Sequence, residues 1–198
     1  MFAATINNDE INELELERFE GNITVVEDVE ALKKVVAILQ KESALGFDTE
    51  SKPAFKKGEY NHISLLQFST ENEAYLIRVN KTGITPELKR LLESEKITKV
   101  GVALRDDIKD LRKLSPMNPK GFAELNHLVK EIGIESNGLR KLTAIILGFR
   151  ISKNAQVSNW EKEELTEKQI YYAATDAWVC IKMYNKLVKQ GWLEAVSK

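Results

Sequence analysis

Apolar residues along the chain switch repeatedly between alternating and helical spacing. "NITVVE" (22–27) is rich in β-branched residues and reads as a strand. "DVEALKKVVAILQKE" (28–42) puts Leu32, Val35, Val36 and Leu39 on one helical face behind a cap-like Asp28. "ALGFDTE" (44–50) reads as a strand, and "HISLLQFST" (62–70) with "EAYLIRVN" (73–80) as a hairpin closed by "EN". "TPELKRLLES" (85–94) predicts a helix with Pro86 in its first turn. "KITKVGVA" (96–103) predicts another strand, followed by a helical "DDIKDLRKL". "GFAELNHLVKEIG" (121–133) starts strand-like and becomes helical, and further helices are expected over 138–148 and 166–190. The acidic first 20 residues carry a weak helical pattern at Ile11, Leu14, Leu16 and Phe19, suited to a short docking helix or a loosely held terminus. Three antiparallel-type strands, then alternating helix and strand, then helices predict an α/β domain with a mixed central sheet.

Composition narrows the function classes. The 198 residues suit one domain, and 43% hydrophobic content is enough for a core. No apolar run approaches a membrane span, and the start is neither basic nor followed by a long apolar stretch, so a soluble cytoplasmic protein is expected. A single cysteine, Cys180, excludes an internal disulfide and a cysteine-based zinc site, and two histidines, His62 and His127, argue against a histidine-rich one. The net charge of −1 lacks the basic excess common in nucleic-acid binders. A nuclease is still compatible with it, because metal-binding carboxylates cancel the cations that hold phosphates.

Three acidic stretches stand out. In "GFDTE" (46–50), Asp48 and Glu50 are two apart on a strand and share a face. Such a pair is either a solvated strand end or a hard-oxygen site for a divalent cation. Asp106 and Asp107 stand where a strand gives way to a helix, where capping by itself accounts for an acid. In "QIYYAATDAWVCIKMY" (169–184), Asp176 sits among alanines one helical turn after Tyr172. There it is solvated at a margin, paired, or metal-bound.

Taken together, "GFDTE", "KVGVALRDDI" and "YAATD" resemble the DEDD family of 3′–5′ exonucleases, closest to the branch of ribonuclease D and the Werner syndrome exonuclease domain. "SNW" (158–160), "LTEKQ" (165–169) and "LRKLTAIILG" (139–148) resemble that family's approach to the last motif. The likeness covers roughly residues 22–192, with residues 1–21 as an acidic extension and 193–198 as a tail. It implies a ribonuclease H-like fold, a mixed sheet flanked by helices. It also implies a metal set of Asp48, Glu50, Asp107 and Asp176 holding two divalent cations, Mg²⁺ or Mn²⁺. Asp107 rather than Asp106 is the implied ligand, because the family's metal Asp precedes an aliphatic residue. Tyr172 places the chain in the tyrosine branch and would orient the attacking water. Asp48 would bridge both ions, Glu50 and Asp176 would hold the ion carrying that water, and Asp107 would help hold the other. The expected activity is release of nucleoside 5′-monophosphates from the 3′ end of single-stranded or 3′-recessed DNA or RNA. A non-catalytic nucleic-acid-binding or protein-interaction module of the same fold is the alternative.

Candidate substrate contacts are Thr49, Lys56, Lys57, Arg105, Lys109 and Lys153, with Arg140, Lys141 and Arg150 as further cations. Phe55 and Tyr60 suit either base stacking or loop packing, while Trp160, Phe122 and Leu125 read as structural. Ser51 and Lys109 stand where relatives of this branch carry tryptophan, which removes aromatic surface from the expected cleft. Without ribonuclease D's following helical domains, a stand-alone catalytic domain is expected, with the acidic first segment open to a protein partner.

Overall fold

The computed structural model describes residues 1–56 and 58–194. Lys57, a candidate phosphate contact, and the end of the expected tail lie outside the described residues. Six strands form one sheet in the order β1-β4-β3-β2-β5-β6. They are β1 (Asn22–Val26), β2 (Ala44–Ser51), β3 (Ile63–Ser69), β4 (Glu73–Ile77), β5 (Thr98–Gly101) and β6 (Phe122–Glu124). The hairpin pairs as expected, with β3 antiparallel to both β2 and β4, although β4 stops at Ile77 and residues 79–80, read as strand, begin a short helix; β1–β4, β2–β5 and β5–β6 pair in parallel. This is the mixed sheet that the alternation of elements predicts.

Helices cover both faces. Strand residues Leu45, Phe47, Leu66, Phe68 and Ile77 pack with α2 (Val29–Leu39), α4 (Pro86–Glu93) and α5 (Leu104–Leu114). On the other face lie α7 (Leu139–Leu147) and the long α8 (Glu167–Lys189). Short helices α1 (Asn8–Asn12), α3 (Val79–Thr82) and α6 (Leu125–Leu128) complete the set, α6 running into a single 3₁₀ turn. Local chemistry fixes the ends. Asp28 accepts from the Ala31 N–H at 2.8 Å, and Thr85 caps α4 ahead of Pro86. Thr166 and Gln169 form a reciprocal capping box at α8.

Two expectations change. The first segment is helical only over α1. It then runs extended, with Glu17 N–H donating to the Arg150 carbonyl and Arg150 N–H donating to that of Glu15, both at 2.9 Å. Ile11 and Phe19 are buried against the chain itself, Leu14 is half-buried and Leu16 stays exposed, so the expected apolar face is only partly used. The start of α5 also differs. The helix begins at Leu104, and neither Asp106 nor Asp107 caps it. Glu124, at the end of β6, accepts from the N–H groups of Ala103 and Leu104 at 3.0 and 2.7 Å. Ala103 holds a left-handed φ of 62° to make the turn. A carboxylate from a neighbouring strand thus does what a local acid was expected to do.

Candidate functional site

The sheet opens where β2 outlasts its parallel neighbour. Pairing of β2 with β5 ends at Gly46–Val100, and β5 then turns away into α5. Asp48, Thr49 and Glu50 are left paired with β3 alone. Gly46, Asp48 and Glu50 share the face towards α8. A β-carbon at Gly46 would lie 1.9 Å from the Ala177 carbonyl oxygen, so the helix rests directly on the strand. Ala173, Ala174 and Ala177, all fully buried, keep that approach close. Asp176 therefore arrives beside Asp48 because the helix is seated on a glycine.

Asp48, Glu50 and Asp176 each offer a carboxylate oxygen within 4.8 Å of the others. Asp176 is buried and the other two are half-buried. Tyr172 lies one turn before Asp176 and lines the same cavity, and its phenol lowers the Asp176 carboxyl. Asp107 stands apart from the three: the Thr49 hydroxyl donates to its Oδ1. Thr49, expected to touch substrate, is thereby also a tie between β2 and α5, and its N–H donates to Asp48 Oδ1 at 2.9 Å. Three of the four expected acids thus meet in one cluster, and the fourth is held one side chain away.

Burial and mutual repulsion govern the cluster's protons. Burial, then the charges of Asp176 and Asp107, push the Asp48 carboxyl well above its ordinary range. Glu50 is pushed up to about 10 by burial first and then by Asp48, Asp176 and Asp107. Burial raises Asp176 against the lowering effect of the Tyr172 phenol. Burial also raises Asp107, opposed by the Thr49 hydroxyl. The Tyr172 phenol is raised by burial and by the carboxylates beside it, so it stays protonated. Uncompensated carboxylates at this spacing favour a cation or protons between them. Gln67, paired directly across from Asp48, is fully buried with neither amide atom partnered among the described residues. The three hard-oxygen ligands of Asp48, Glu50 and Asp176 fit a divalent ion.

Asp48, Glu50 and Asp176 line a cavity of about 440 Å³. The start of α7 and the segment after it also line it, including Arg140, Lys141 and Lys153. Arg140 Nη2 donates to Asn12 Oδ1 at 2.6 Å, which fixes it from the first segment. Of the candidate cations, Lys153, Arg140 and Lys141 line this cavity. Lys56, Arg105 and Lys109 are exposed and lie off this cavity. Arg150 is committed elsewhere, its Nε donating to the Leu14 carbonyl at 2.9 Å. Phe55 and Tyr60 are both exposed, with Lys113 Nζ 3.8 Å from the Tyr60 ring centroid. Trp160 is buried against Tyr172 with ring centroids 6.1 Å apart. The contributions of Asn8, Asn137 and Gln156 to the wall went unpredicted, because isolated polar loop residues carry no periodic signal.

A profile of the 3′–5′ exonuclease family matches residues 23–192. The chain belongs to the 3′–5′ exonuclease family. Within it, 153 aligned residues are 33% identical to the mouse bifunctional 3′–5′ exonuclease/ATP-dependent helicase WRN, covering 74% of this chain and 11% of that protein. The chain thus spans about a tenth of that relative's length. The fold is similar to the Aedes aegypti Nibbler EXO domain, with a TM-score of 0.78, 23% identity and coverage of 88% and 92% of the two chains. It is also similar to Trypanosoma brucei RNase D, solved in complex with RNA U12: TM-score 0.75, 21% identity, 98% of this chain and 68% of that one. The family's ribonuclease H-like architecture is the sheet described above. Among the described residues no helix is long and apolar enough to cross a membrane.

Proposed function

We propose that this exonuclease-family chain is a divalent-metal-dependent 3′–5′ exonuclease that removes nucleoside 5′-monophosphates from DNA or RNA ends. The convergence of Asp48, Glu50 and Asp176 within 4.8 Å, in a cavity that Arg140, Lys141 and Lys153 also line, carries the reading. Bound divalent ions would supply an activated water and charge stabilisation of the leaving oxygen. Mg²⁺ or Mn²⁺ suits the all-oxygen donor set. Asp48, Glu50 and Asp176 would hold the metal. Asp107 would complete the set once its carboxylate is shared with Thr49. Arg140, Lys141 and Lys153 would hold phosphate oxygens across the cavity. Tyr172 keeps its proton near neutral pH, so it would orient the attacking water rather than deprotonate it.

The test is digestion of 3′- and 5′-labelled single- and double-stranded DNA and RNA oligomers with Mg²⁺ or Mn²⁺. Shortening from the 3′ end is expected, abolished by chelator or Asp48→Ala. Tyr172→Phe should lower kcat by about 10²-fold, the order found for loss of one oriented donor. A folded protein that cleaves none of these substrates with either metal would refute the assignment in favour of a binding module.

A further inference from the structure

Behind Tyr172 lies a second groove of about 530 Å³, which shares Tyr172 and Ser152 with the acid cavity. One of its walls is residues 16–20, outside the segment that the family profile matches. That wall is firmly set: Phe19 is buried and its N–H donates to Thr175 Oγ1 of α8 at 3.0 Å. The Glu17 and Arg150 backbones are bonded as described above. Facing it, Tyr171 carries the Arg18 guanidinium 4.0 Å from its ring centroid.

We infer that this groove receives the nucleobase on the 5′ side of the scissile phosphate, resting on the planar Arg18–Tyr171 pair. The inference rests on the exonuclease reading and specifies how the strand leaves the acid site. Unpaired bases stack on tyrosine rings and arginine planes, and every base has a face to offer. The groove's charges cancel, Glu17 and Glu20 against Arg18 and Lys168, so it suits a neutral base better than a phosphate. Phosphates are better served by Arg140, Lys141 and Lys153 in the adjoining cavity. Glu17, Arg18, Asn154 and Lys168 are exposed, so the groove opens to solvent and a continuing strand can leave through it. A terminal nucleotide needs no such exit. The first segment would therefore be part of the substrate site.

The experiment compares the full chain with Arg18→Ala and Tyr171→Leu on 5′-labelled single-stranded hexamers of DNA and of RNA. Each hexamer is intact, or abasic at the penultimate or the terminal position. KM for intact strands should rise about tenfold in each variant with kcat within about twofold. The penultimate-abasic strand should be cut alike by wild type and variants, while the terminal-abasic strand should still distinguish them. Variants that leave KM unchanged, or effects that persist undiminished on the penultimate-abasic strand, would overturn the inference and leave the exonuclease reading intact. A wild type that cuts no hexamer would remove both. Arg18→Ala removes an exposed side chain, so the test does not depend on Tyr171→Leu folding normally.

Discussion

Glu50 shows how a single side chain carries the cost of this site. In the folded chain it holds its proton up to about 10, against about 4.3 for an ordinary glutamate. Between those values the folded state binds more protons than the unfolded state, so stability falls as pH rises. The upward shifts of Asp48, Asp176 and Asp107 act in the same direction. Thermal unfolding of the metal-free protein should therefore move to lower temperature as pH rises above the ordinary carboxylate range. Mg²⁺ should restore the loss most at the alkaline end, and Glu50→Gln should flatten the slope. A melting temperature that climbs with pH in the absence of metal would contradict this account. The acid–tyrosine set was named from the resemblance of three motifs to a known family, since each acid read by itself was equally a strand end, a cap or a surface charge. The Thr49–Asp107 contact was not legible, since it joins a strand to a helix far along the chain.

At the scale of elements, a helix and a strand must touch for the acids to meet. Gly46→Val would drive a side chain into the Ala177 carbonyl. Its expected cost is about 3 kcal/mol, the upper end for overpacking, read from denaturant unfolding, with Mn²⁺ binding weakened because Asp176 is pushed off Asp48. Wild-type metal affinity in that variant would mean that helix seating does not set the cluster. The cap of α5 gives a second test. Glu124 also accepts from the Asn126 N–H at 3.0 Å, so one carboxylate serves the starts of both α5 and α6. Glu124→Ala should lower stability by about 1–2 kcal/mol with an unchanged denaturant slope, whereas Asp106→Ala should be nearly neutral. Helix and strand positions were readable from apolar period. The partner that caps α5 was not, because a carboxylate on an adjacent strand leaves no mark near the helix.

Across the whole molecule, charge is distributed rather than accumulated. In a chain of net charge −1, three cations line the same cavity as the acids. Single-strand binding that neutralises about three phosphates should weaken with salt at a log–log slope of about −2. Fluorescence anisotropy of a labelled oligomer across a salt series measures it. A slope several-fold steeper would place further cations, Lys56, Arg105 or Lys109 among them, on the strand. The first segment also changes meaning at this scale. Read as a local pattern it is a weak helix; in the fold it anchors Arg140 and borders both cavities.

The sequence by itself determined most of the elements and the mixed sheet, and through the resemblance of its motifs it named the candidate acids. Apolar period and capping residues act within a few positions, whereas each acid's place on its element left a cap or a surface charge equally open. Only the tertiary structure decided that three of those acids form the close cluster while Thr49 holds the fourth. It also decided which cations share their cavity and that the first segment walls the site. Those outcomes depend on a glycine's missing side chain, a splayed parallel pair and contacts between residues distant in sequence, and none of these has a local period.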